Sequence, residues 1–123
     1  MNQHEIILIL GSNHKHGDNI TAAQKALSKV FDSIQFTDCM WTEPIDIDSE
    51  LFLNCAAKAI TNLSKEEVRD KMKIIERELG STTERRQQNI IDIDIDIIQY
   101  DSTKLHEDDW EREYITRLVE IIQ

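Results

Sequence analysis

A chain of 123 residues can enclose one hydrophobic core and is too short for two. Its 40% apolar and 31% charged residues, with only 3 Gly and 1 Pro, describe a single folded domain over residues 1–123, without linker or low-complexity segments. The formal charge of −10 excludes the basic stripe on which nucleic-acid binding rests, and the longest apolar run, Ile6–Leu10, falls far short of the ~20 residues that cross a bilayer.

The N-terminus has no basic segment followed by an apolar stretch, so the expectation is an unexported, cytoplasmic chain. Cys39 and Cys55 lack CxxC spacing and nearby His, which predicts two buried, reduced thiols. Without export, Asn19-Ile20-Thr21 and Asn62-Leu63-Ser64 are idle glycosylation matches.

In chain order, the continuously apolar Ile6–Leu10 predicts a central strand buried on both faces, breaking at Gly11-Ser12-Asn13. A helix follows, with Asp18 as N-cap and Ile20, Ala23, Leu27, Val30 and Phe31 at helical spacing up to about Asp32. A second strand is expected over Ile34–Trp41, with an alternation that slips near Asp38. After a loop Thr42–Glu50, Leu51–Ile60 alternates cleanly, placing Leu51, Leu53 and Cys55 on one face and Phe52, Asn54 and Lys58 on the other.

Ser64 and Glu67 form a capping box ahead of the stripe Val68, Met72, Ile75 and Leu79, and Gly80 supplies the stop, which predicts the best-defined helix. A loop Ser81–Asn89, a strand Ile91–Gln99 and a helix of about Trp110–Ile122 complete the chain. The order β-α-β-β-α-β plus a terminal helix predicts an α+β, ferredoxin-like antiparallel sheet with both crossover helices on one face. The opposite face would carry Phe52, Asn54 and the even-numbered aspartates.

In the last strand Asp92, Asp94 and Asp96 alternate with Ile91, Ile93, Ile95 and Ile97, so a period of two puts the acids on one side. Alternate strand positions lie ~6.6–7 Å apart, and Asp is a poor strand former, so the row carries a local cost that a cation would relieve. Two such carboxylates can hold a pair of Mg²⁺ against phosphoryl oxygens. Spacing alone fits a solvated acidic face equally well.

Taken together, Gly11-Ser12-Asn13, Thr42-Glu43-Pro44, Phe52-Leu53-Asn54, Ile75-Glu76 with Gly80, and Asp94-Ile95-Asp96-Ile97 resemble the 6-hydroxymethyl-7,8-dihydropterin pyrophosphokinases (HPPK) of folate biosynthesis, across about residues 5–122. The resemblance implies transfer of pyrophosphate from ATP to the pterin's hydroxymethyl group, with Asp94 and Asp96 holding two Mg²⁺. It implies a pterin site at Thr42, Pro44, Ile45, Phe52, Asn54 and Tyr114, where an amide meets the lactam-like edge and aromatic rings stack on the heterocycle. It further implies nucleotide contacts from Glu76, Arg85, Arg86, Ile97, His106 and Arg112, with Arg85 and Arg86 also neutralising charge during catalysis.

The sequence departs from the family pattern ahead of the aspartates. Ser81, Thr83, Gln87, Gln88 and Ile91 stand where the family usually has Arg or Trp, and the C-terminal segment Arg112–Leu118 is shortened and lacks its proline. A transition-state arginine is worth ~10³–10⁵ in rate. Two alternatives therefore accompany the enzyme reading: a pterin-binding or regulatory relative with weakened catalysis, and a ferredoxin-like interaction module.

Overall fold

The first strand, β1 (His4–Ser12), is buried without interruption from Ile6 to Ser12, as a strand flanked on both faces must be. The computed structural model describes residues 3–45 and 47–123. Helix α1 (His16–Val30) buries Ile20, Ala23 and Leu27. It starts two residues before the expected cap: Lys15, in the left-handed region, is the N-cap, and Asp18 lies in the first turn, where its charge still favours the helix dipole.

The strand expected over Ile34–Trp41 divides into β2 (Ser33–Phe36) and β3 (Met40–Thr42). Thr37 makes the division: its backbone N–H donates to Ala56 O and its Oγ1 accepts from Ala56 N–H, each at 2.9 Å, so the hydroxyl takes the place of a ladder carbonyl. Both pieces pair with β4 (Phe52–Thr61). The β3 register, with Met40 opposite Asn54, sets Cys39 against Cys55. Cys55 is buried beside Gln24, and desolvation pushes its thiol up to about 12. Cys39 is exposed, contrary to the expectation of two buried thiols, because it lies outside the regular ladder.

Helix α2 (Lys65–Glu78) has the predicted reciprocal capping box, Ser64 Oγ accepting from Glu67 N–H and Glu67 Oε1 from Ser64 N–H. It buries Val68, Met72 and Ile75 and ends at Gly80, whose φ of 91° is cheap only for glycine. The loop expected over Ser81–Asn89 contains a one-turn helix, α3 (Thr83–Gln87), capped by Thr82 Oγ1 accepting from Arg85 N–H. Then come β5 (Asp94–Tyr100) and a short β6 (Thr103–Lys104). A 3-10 turn, Glu107–Glu111, occupies the start of the expected terminal helix and delays α4 to Glu113–Ile122.

The strands form one antiparallel sheet in the order β2-β4-β1-β5-β6, with β3 beside β4. Ile6, Leu8, Leu10, Ala57, Ile93, Ile95 and Ile97 pack under α1 and α2. On the other face Ile7, Ile9, Ala56 and Ile98 pack under α4 through Ile115, Leu118, Val119 and Ile122. Helix α4 covers only part of that face, and the uncovered part is where the conspicuous polar side chains gather.

A bulge fixes how far the alternation of β5 extends. Ile7 pairs with Gln99 but Leu8 with Ile97, leaving Ile98 as an extra residue. Up to that point odd residues face α2 and even ones the opposite side; beyond it Tyr100 lies on the α2 side and donates to Leu63 O at 2.7 Å. Among the described residues, no helix is long and apolar enough to cross a membrane.

Candidate active site

Central strands bring the site together. On β4, the buried Asn54 donates through Nδ2 to Thr42 Oγ1 at 2.7 Å, which fixes its amide across the β3–β4 pair. Gly11, opposite Asn54 on β1, is required here because a Cβ at this position would lie 2.8 Å from Asn54 Oδ1. Across β1, Gly11 also pairs with Asp94, so amide and carboxylates sit on adjacent strands of one face. Asn13 secures the approach to β5, its Oδ1 accepting from Ile91 N–H at 2.7 Å and its Nδ2 donating to Asn89 O at 2.9 Å.

Asp94, Asp96, Thr42, Ile45, Phe52, Asn54 and Tyr114 all line one cavity of about 270 Å³, with Gly11 and Ile9 at its floor. Arg112 lines this same cavity and pairs with Asp109 at 3.4 Å, so it stands with Asn54 instead of with His106. Pro44 lies half-buried in the adjoining turn and is not part of the wall. A second cavity, about 300 Å³, opens between α2 and β5; Ile97 and His106 line it, together with Lys65, Arg69, Met72, Lys73, Ile95 and Leu105. Asp96 is common to both.

Asp94 and Asp96 crowd each other on one face of β5. Burial, then the neighbouring Asp94, Glu76 and Asp109, push Asp96 up to about 8. Arg86 offsets part of this charge, donating to Asp94 Oδ1 at 3.3 Å and to Ile93 O at 3.1 Å. Glu76 is buried and braces α2 against β5: its Oε2 accepts from Ile95 N–H at 2.8 Å while Oε1 lies 3.4 Å from Lys73 Nζ and 3.6 Å from Arg86. Burial raises its carboxyl above the usual range.

Asp92 leaves the row that its spacing suggested. It precedes β5, is buried, and forms a bidentate pair with Arg85, Nε to Oδ2 at 2.6 Å and Nη2 to Oδ1 at 3.0 Å. Arg85 is thereby committed to holding α3 against the start of β5, and Arg86 alone of the two arginines reaches the acids. Sequence reading missed Asp109, which lines the Asn54 cavity with Asp96 because the 3-10 turn is anchored by its own Trp110, whose indole N–H donates to Ile98 O and Leu105 O at 3.1 Å each. The cationic wall on α2 was also missed, although Lys65, Arg69 and Lys73 recur at the four-residue spacing that defines one helix face.

Among the described residues, no three acids, histidines or cysteines converge to cage a metal. The donor set is two hard carboxylates, Asp96 open to both cavities and Asp94 to that of Asn54, which suits Mg²⁺, an ion held by one or two protein carboxylates with phosphate oxygens and water completing its shell.

An antiparallel α+β fold with two cavities that share Asp96, next to Asp94, defines a protein with a paired-carboxylate site beside two cavities. The sequence matches the family 7,8-dihydro-6-hydroxymethylpterin-pyrophosphokinase (HPPK) over residues 7–123. The chain belongs to that family. It is also similar to two Arabidopsis thaliana proteins, a folate synthesis bifunctional protein (30% identical, covering 90% of this chain and 25% of the relative) and a folate synthesis bifunctional protein, mitochondrial (27%, covering 92% and 22%). The chain thus spans about a quarter of the length of these curated relatives.

Proposed function

We propose that this chain transfers pyrophosphate from ATP to the hydroxymethyl group of 6-hydroxymethyl-7,8-dihydropterin in a Mg²⁺-dependent reaction of folate biosynthesis. The observation that carries this reading is that Asp96 belongs to both cavities at once, so ligands seated in them would meet at Asp94 and Asp96. In the cavity of Asn54, the amide and Thr42 hold the lactam-like edge of the pterin, while Phe52, Tyr114 and Ile45 enclose its ring. The nucleotide takes the cavity of Ile97 and His106, which ends at Asp96, and Arg86 stands outside it, paired with Asp94.

Asp94 and Asp96 would hold two Mg²⁺, which neutralise phosphate charge when bound. The pterin hydroxyl oxygen attacks the β-phosphorus, the bond from that phosphorus to the α–β bridging oxygen breaks, and AMP departs with the electron pair. Positioning the two substrates end to end supplies most of the rate, and the hydroxyl proton passes to solvent. Arg86 leaves the paired acids for the developing phosphate charge.

Incubation of the chain with Mg²⁺, ATP and hydroxymethyl-dihydropterin should yield AMP in step with pyrophosphorylated pterin. No AMP over a wide range of ATP concentrations sinks the reading. The bidentate engagement of Arg85 by Asp92 favours a second one, a relative that binds pterin with weakened catalysis; pterin binding without nucleotide binding in calorimetry would select it.

A further inference from the structure

The proposed reaction needs positive charge around a polyphosphate, and the residues ahead of β5 provide little of it. Ser81, Thr83, Gln87, Gln88 and Ile91 are neutral, Arg85 is bound to Asp92, and Arg86 spans Asp94 and Glu76. The cavity between α2 and β5 offers a different source. Its floor is apolar, formed by Met72, Ile95, Ile97 and Leu105, and its α2 wall carries Lys65, Arg69 and Lys73.

These three cations stand four residues apart, on one face of α2, and like charges at that spacing repel. Among the described residues Lys65 and Arg69 make no ion pair, and Lys73 reaches only the Glu76 brace, at 3.4 Å. In a chain with net charge −10, a row of three cations, two of them without an ion pair, facing a cavity that ends at Asp96 is an anion-holding arrangement.

Two contacts orient the row. Glu76 accepts from Ile95 N–H at the start of β5, and Tyr100 donates to Leu63 O at its end, so α2 and β5 run in opposite directions. Lys73 is therefore nearest the paired acids, with Arg69 about 6 Å and Lys65 about 12 Å further out along the helix. We infer that Lys73, Arg69 and Lys65 of α2 form the polyphosphate-neutralising wall for a nucleoside triphosphate lying on the Met72–Ile97 floor. The inference rests on the nucleotide half of the proposed function, and it assigns to α2 the charge that the segment 81–91 lacks.

The test is calorimetric titration with the Mg²⁺ complex of α,β-methylene-ATP, which cannot undergo the transfer, at about 0.05 and about 0.3 M salt. Arg69→Ala is expected to weaken binding about 5–10-fold and Lys65→Ala with Arg69→Ala about 20–50-fold at the lower salt, with a shallower salt dependence. Arg69→Lys should recover most of the loss, and pterin affinity should be unchanged. Arg69 is exposed and Lys65 half-buried without an ion pair, so melting temperatures within a few degrees of wild type are expected.

Variant affinities within twofold of wild type overturn the inference while leaving the reaction reading intact. Equal losses of nucleotide and pterin affinity, or no nucleotide binding by the wild-type chain, also overturn it. Charge-dependent nucleotide binding without AMP formation supports the α2 wall and sinks the transfer reaction instead.

Discussion

Asp92 and the pair Asp94–Asp96 are neighbours of identical chemistry with opposite fates. Asp92 is buried and answered in full by the two-pronged Arg85, so its charge is spent on architecture, tying α3 to the entry of β5. Asp94 and Asp96 crowd each other, are answered only in part by Arg86, and open into cavities. An acid matched within the protein stabilises it; acids left in excess are available to a cation from outside.

The largest effect that could break this contrast is on turnover. Asp96→Asn should lower AMP formation by about 10³-fold or more while raising the metal-free melting temperature above about pH 8, where the wild-type carboxyl must ionise beside Asp94. A variant that is both active and less stable would place Asp96 with Asp92 as a structural acid. Next in size, Arg85→Met strands a buried carboxylate and should lower the melting temperature by roughly 5–15 °C, with or without Mg²⁺.

Gly11→Ala probes the pterin side. Its Cβ would press on Asn54 Oδ1, so the KM for pterin is expected to rise about 10-fold with the KM for ATP within twofold of wild type, measured by AMP release. Equal changes in both KM values would mean that β1 and β4 shift together and that the amide is not specific to one cavity.

The smallest effect is pH-dependent. An Asp96 carboxyl lifted from 3.8 to about 8 in the fold holds a proton that the unfolded chain gives up. Its contribution to metal-free stability is therefore fully present at low pH and declines as pH rises across that window. Because Mg²⁺ must displace that proton, the melting-temperature gain from Mg²⁺ should grow between about pH 6 and pH 9. A gain that is flat with pH in scanning calorimetry would contradict the paired-acid reading.

Much of the fold was legible because it rests on local rules. Continuous burial along Ile6–Leu10, the Ser64–Glu67 box and the odd–even division of β4 all followed from period and capping chemistry. Boundaries failed where a side chain or a special backbone value replaced the rule: Thr37 interrupting a strand, Lys15 starting α1 in the left-handed region, and a 3-10 turn displacing the first residues of the terminal helix. The same kind of failure hid the partners of the site. Asp109 and the α2 cations are separated in sequence from Asp96 and come to share its cavities through packing alone.

Alternation, with the odd-numbered apolar residues turned to the helices, was enough to expect Asp94 and Asp96 on the face of Phe52 and Asn54, because successive side chains of a pleated strand point to opposite sides. What only the tertiary structure decided is which charges are already answered. Arg85 and Arg86 are adjacent in the chain, yet one closes on Asp92 and the other on Asp94, since a single turn of helix directs consecutive side chains about 100° apart.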